Sequence, residues 1–154
     1  MKNRLLKLFV FFLLMYITLY AHVCLAASTF DNVLYIDAYD GDTFTINIKD
    51  IPEVFGKNLP IRIAHIDAAE IKSSDPCEVK AALKARELVR DILRNATSIN
   101  LVNVKRDKYF RILAEVNVDT KDLASIILNA KLAYPYEGET KKKINWCTYG
   151  KKSK

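Results

Sequence analysis

A chain of 154 residues with a formal net charge of +6 has room for one domain with a single modest core, and nothing in it marks a second. The charge sits at the ends. Lys2, Arg4 and Lys7 precede any acid, and six lysines with no acid follow Thr140, so residues 27–140 hold 15 basic against 18 acidic residues. Bulk basicity is therefore excluded as an argument for nucleic acid, and residues 141–154 read as a lysine-rich, solvated tail with at most a weak, salt-sensitive attraction to phosphates.

Taken from the start, residues 1–26 pair a basic opening with an apolar run over 8–25 and then the small residues Ala26, Ala27 and Ser28. This pattern predicts an export signal cut after Ala26, with an uncleaved membrane anchor as the rival. Either way the domain of residues 27–140 is expected to be secreted, periplasmic or held in the cell envelope. Beyond Cys24 two cysteines remain, Cys77 and Cys147. An even pair in a small exported domain suggests a disulfide, which closes a loop of about 70 residues and is worth ~4 kcal/mol in the chain-entropy description.

The alternating or β-branched runs at 33–38, 43–48, 59–66, 98–105 and 112–118 predict five strands, with Asp40-Gly41 as a hairpin turn between the first two. Residues 78–95 are helical in pattern: Ala82, Ala85, Val89, Ile92 and Leu93 share a face, and Asp75 and Pro76 are placed to cap and open the helix. A shorter helix is expected over 122–129. Three strands, a helix, two strands and a helix describe an α+β fold, a five-stranded OB-fold-type β-barrel with two to three helices. A doubly wound sheet is disfavoured because helices do not separate the strands one by one.

Three short segments carry chemistry: Tyr39-Asp-Gly-Asp-Thr-Phe44, Ile61-Arg-Ile-Ala-His-Ile-Asp-Ala-Ala-Glu70 and Arg106-Asp-Lys-Tyr-Phe-Arg-Ile-Leu-Ala114. Each has a bland explanation. Aspartates are common beside a hairpin glycine, Arg62 with Glu70 makes an ordinary surface ion pair, and Arg111 is a solvated charge at a strand start. His65 reads as a packed or surface histidine, and Tyr134 and Tyr136 as packing residues. Jointly, however, they supply what phosphodiester hydrolysis requires. Two aspartates can hold a hard cation through oxygen, a glutamate can take a proton from water, and two guanidiniums match phosphate oxygens.

In content and order these segments resemble the staphylococcal-nuclease-like (thermonuclease) domain family, over about residues 33–136. The resemblance implies Asp42 and Asp67 as Ca2+ ligands with the backbone carbonyl of Ala68, Glu70 as general base, and Arg62 and Arg111 as the phosphate-binding, charge-stabilising pair. It further implies that Lys108 and Tyr109, with Tyr134 or Tyr136, contact a bound nucleotide. The implied activity is calcium-dependent, sequence-independent cutting of single-stranded DNA and RNA by a monomer, at the 5′ side of the phosphodiester, with no stable protein partner. The chain departs from the family at Ala68-Ala69 in place of Thr-Pro, at Phe110 in place of a glycine, and at Lys131 in place of a helix-ending glycine, where Asn129 is the more natural left-handed residue. Two other readings are a non-catalytic OB-fold nucleic-acid or protein binding module and a nuclease of another architecture, suggested by Glu70-Ile71-Lys72. Against the module, a pure binder has no use for a base beside a metal site.

Overall fold

The fold is taken from a computed structural model that describes residues 2–23, 28–107 and 109–150. In chain order its elements are α1 (Lys2–Val23), β1 (Leu34–Ala38), β2 (Thr43–Asn47), α2 (Glu53–Gly56), β3 (Leu59–Ile63), β4 (Ile66–Ala68), α3 (Pro76–Arg94), β5 (Ile99–Arg106), β6 (Ile112–Val118), β7 (Lys121–Asp122), α4 (Leu123–Asn129) and β8 (Ala133–Pro135). Side chains from Leu8 to Tyr16 on α1 are exposed. Among the described residues no helix is long and apolar enough to cross a membrane. The cut expected after Ala26 lies outside the described residues.

The main sheet runs β1-β2-β3-β6-β5, with β7 added beside β6. All pairings are antiparallel except β3 with β6, which is parallel. The two edges are stitched by the residues just before β1. Phe30 and Leu101 exchange backbone hydrogen bonds of 2.9 and 2.8 Å, and Val33 N–H donates to Ile99 at 3.0 Å. The sheet is thus curled into the OB-type barrel expected from the order of strands and helices. Phe44, Ile46, Ile61, Ile63, Leu101 and Val116 fill it, and Val89 of α3 and Ile127 of α4 close the ends of the core. Burying side chains of this kind contributes roughly 1.5–3 kcal/mol each.

α3 starts as its sequence requires. The Asp75 carboxylate accepts from Cys77 N–H at 2.9 Å and Pro76 opens the first turn. Its buried face is Ala82, Ala85, Val89 and Leu93. The small residues on that face admit the β1–β2 hairpin closely: a Cβ on Gly41 would lie 2.5 Å from the Ala85 Cβ and 2.9 Å from the Ala68 Cβ. Gly41 is needed for this approach, which brings the hairpin against β4.

Three expectations are corrected. The strand expected over 59–66 is broken at Ala64 and His65, where His65 adopts φ 65°. The chain turns there, and β4 leaves the main sheet to pair with β8, setting Asp67 opposite Tyr134. The exposed His65 ring bridges Glu137 at 2.9 Å and Glu115 at 3.4 Å, and the hydrogen bond to Glu137 holds its pKa above the usual value. At the end of α4 the left-handed residue is Lys131, φ 59°, while Asn129 stays helical. Leu132 N–H then reaches back to the Ile127 carbonyl at 3.2 Å, satisfying the helix end without glycine.

The third correction concerns the tail. Residues 141–150 fold back onto the body, where Trp146 is buried with Ala69, Ala82 and Tyr134. The Tyr149 hydroxyl donates to the Ala133 carbonyl at 3.0 Å. Cys147 is joined to Cys77 by a disulfide, Cα–Cα 5.0 Å, across a separation of 70 residues. Reducing this bond is expected to lower the thermal midpoint by on the order of 10 °C, the equivalent of ~4 kcal/mol in a domain of this size. Melting with and without reductant checks this, and an unchanged midpoint would mean that the bond does not constrain the protein.

Candidate active site

The hairpin between β1 and β2 presents the first carboxylates. The Asp40 side chain accepts from Asp42 N–H at 3.1 Å, a local turn bond of the kind that favours aspartate here. The Asp42 carbonyl accepts from Ile63 N–H at 2.9 Å, locking the hairpin to β3. Asp40, Asp42 and Asp67 are the buried charged residues of the described chain, and buried carboxylates persist only when paired and hydrogen-bonded.

The pairing comes mainly from Arg62. On β3, opposite Thr43, it points one guanidinium nitrogen at Asp42 Oδ1 and the other at Asp67 Oδ1, 2.7 Å away, and the latter also donates to the Ile66 carbonyl at 3.1 Å. Asp42 is completed by Thr43 Oγ1, 3.1 Å from Oδ1, and by the backbone N–H of Ala68, 2.6 Å from Oδ2. Asp67 is completed by the Tyr134 hydroxyl, 2.6 Å from Oδ2, and by the Lys141 ammonium, 3.0 Å from Oδ1. Burial alone would push the Asp67 carboxyl up, but the donors Tyr134, Lys141 and Arg62 outweigh it and hold it below the usual range. The Tyr134 phenol is raised in turn, by burial and by the carboxylate it faces.

Glu70 lies two residues past β4 and opens the turn that follows, its carbonyl accepting from Ser73 N–H at 3.2 Å. Its side chain is half exposed and takes the same Lys141 ammonium at 2.8 Å, while its backbone N–H donates to Glu78 of α3 at 3.3 Å. Burial and the Glu70 charge push Asp40 up to about 6, against the pull of Arg62. Arg111 comes from the β5–β6 turn. Asp107 holds its Nε at 2.7 Å and its backbone N–H at 2.9 Å, and its guanidinium lies 5.4 Å from the centre of the Tyr109 ring. Burial raises the Asp107 carboxyl, but Arg111 and the N–H groups of the turn more than offset this and keep it low. Phe110 stands in that turn at φ 63°, exposed, a left-handed position that costs a residue with a side chain about 1–2 kcal/mol.

One groove of about 860 Å3 collects most of these groups: Asp40, Arg62, Glu70, Tyr109, Arg111, Tyr136 and Lys141 all line it. Asp42 and Asp67 do not line it; they are buried and connect to it through Arg62. Tyr134 is not on the wall. It is 4% exposed and backs Asp67, so of the pair Tyr134 and Tyr136 only the second faces the groove. Lys108 lies outside the described residues. Two residues were not singled out from sequence. Asp40 carried a signal, as the first acid of Asp-Gly-Asp; Lys141 carried none, because its partner Glu70 is 71 residues away.

The donor set consists of carboxylate oxygens with no sulfur or imidazole among them, which suits a hard divalent cation. That two carboxylates share one guanidinium means they already converge on a single positive group, so Asp42 and Asp67 fit such an ion.

The model of a protein family described as staphylococcal nuclease homologue matches residues 60–152. That span contains Arg62, Asp67, Glu70, Arg111 and Lys141, whereas the hairpin of Asp42 joins them through the contacts to Arg62 and Ala68. Among curated proteins, Endonuclease YncB of Bacillus subtilis (strain 168) is 32% identical over 116 residues, covering 71% of this chain and 52% of that protein. The chain thus spans about half the length of this relative.

Proposed function

This chain belongs to the family of staphylococcal nuclease homologues, and from that premise we propose that it is a calcium-dependent nuclease hydrolysing single-stranded DNA and RNA with little sequence preference. The observation that carries this reading is the shared groove: Glu70, Arg62 and Arg111 line one cleft, and Arg62 pairs there with the buried carboxylates of Asp42 and Asp67. A solvated turn aspartate or a surface ion pair accounts for any one of these residues but not for their convergence.

Asp42, Asp67 and the carbonyl of Ala68 are the groups to hold Ca2+. When bound there it neutralises charge on a phosphate oxygen. The protein supplies the rest. Arg62 and Arg111 offer planar donor pairs to the phosphate, whose charge rises on the way to the transition state. Glu70 accepts the proton of the attacking water. Water displaces the 5′ oxygen directly, without a covalent enzyme intermediate. Tyr109 and Tyr136 provide aromatic faces along the groove for the flanking nucleotide, with Lys108 beside Tyr109 in sequence. The signal-like start and the cysteine pair support action outside the cytoplasm.

End analysis of products tests the reading. Incubated with calcium, the full chain is expected to cut single-stranded DNA and RNA oligonucleotides to fragments bearing 5′-hydroxyl and 3′-phosphate ends. Binding without cutting would identify an OB-type binding module instead, and 5′-phosphate ends would contradict the proposed bond cleavage.

A further inference from the structure

We propose that Lys141 is a built-in competitor for the divalent ion, an active-site residue whose ammonium holds the carboxylates of Asp67 and Glu70 together and sets how much metal the protein needs. The inference rests on the metal-site reading of Asp42 and Asp67. The ammonium lies 3.0 Å from Asp67 Oδ1 and 2.8 Å from Glu70 Oε1, one cation bridging a candidate ligand and the candidate base.

The contact is not a chance touch of a loose lysine. The segment that delivers it is fixed by the bond between Cys77 and Cys147, by Trp146 packed 6.4 Å from the Tyr134 ring and 5.2 Å from that of Tyr149, and by the Tyr149 hydroxyl on Ala133. Tyr134, against which this segment packs, itself donates to Asp67. The lysine and the carboxylate it holds therefore share one structural support.

The consequence is electrostatic. Asp67 Oδ1 already accepts from both Arg62 and Lys141, so a divalent ion seated on Asp67 must either push the ammonium aside, losing two ion pairs, or accept a like charge a few ångströms away. Because the Lys141 side chain is itself half exposed, these costs together reduce metal affinity by only about tenfold. A neutral side chain of similar length at 141 removes the cost without removing a ligand.

Calorimetric titration of the full chain with calcium tests this. Lys141→Met is expected to bind calcium about tenfold more tightly than the natural protein, the gain expected from removing the competing charge, and Lys141→Arg to stay near the natural value because it keeps the charge. Equal or weaker binding in a folded Lys141→Met, equal tightening in Lys141→Arg, or no detectable binding in any variant would overturn the proposal. An Asp67→Asn control separates the two levels. Loss of binding in Asp67→Asn alongside indifference to Lys141→Met sinks only the role of Lys141, whereas calcium binding that ignores Asp67→Asn sinks the metal site itself.

Discussion

Replacing Glu70 by glutamine is expected to lower turnover on single-stranded DNA by about two to four orders of magnitude, the range typical of losing a positioned general base. The fold should survive. Half of the side chain is exposed, its ion pair with Lys141 is of the kind worth at most about 1 kcal/mol, and the backbone bond to Glu78 does not involve the carboxylate. Glutamine keeps the length of the side chain but loses its charge, and with it both the ion pair to Lys141 and the ability to take a proton. Single-turnover rates with saturating calcium, together with a melting curve, check this. A folded Glu70→Gln that cuts at the natural rate would remove Glu70 from the chemistry and leave the water without an identified base.

The second large effect is expected at Arg62. Its side chain is 11% exposed and spans Asp42 and Asp67, whose side chains are 3% and 4% exposed. Truncating it to alanine leaves two carboxylates facing each other in a dry site, and breaking a buried pair in this way costs about 3–5 kcal/mol. Calcium should recover part of that loss, because a cation held by the same carboxylates replaces the missing charge and ligand binding stabilises the folded state. Arg62→Ala is therefore expected to melt well below the natural protein in chelator and to regain much of the difference in calcium, while remaining poorly active for want of a phosphate donor. Equal melting temperatures in chelator would show that Arg62 is not the clamp described here.

Much of this was legible in the residues. The periodicity of Ala82, Ala85, Val89 and Leu93, the cap at Asp75 and the hairpin at Asp40-Gly41 are local signals, and local signals translate directly into α3 and the β1–β2 turn. The charged segments also carried the family resemblance, which the match over residues 60–152 bears out. What the sequence hid was long-range. Nothing in Ile61 to Glu70 marks His65 as the left-handed residue that splits one strand into β3 and β4, yet that turn is what sets Asp67 against Tyr134. Tyr134 is accordingly a support for a carboxylate where the sequence suggested a nucleotide contact. The tail looked solvated because its lysines dominate its composition, and composition does not weigh one tryptophan, one tyrosine and one cysteine that together fasten it down. Those three residues fasten the segment that carries Lys141 to the site.

Asp42 and Asp67 are proposed to hold a divalent ion on which phosphodiester cleavage depends. This proposal is tested most directly by the rate at which the full chain degrades single-stranded DNA with calcium, with magnesium and with chelator, measured beside Asp67→Asn. The expected result is cleavage with calcium that chelator abolishes and that Asp67→Asn lacks. Cleavage that persists in chelator, or that survives undiminished in Asp67→Asn, would contradict the account.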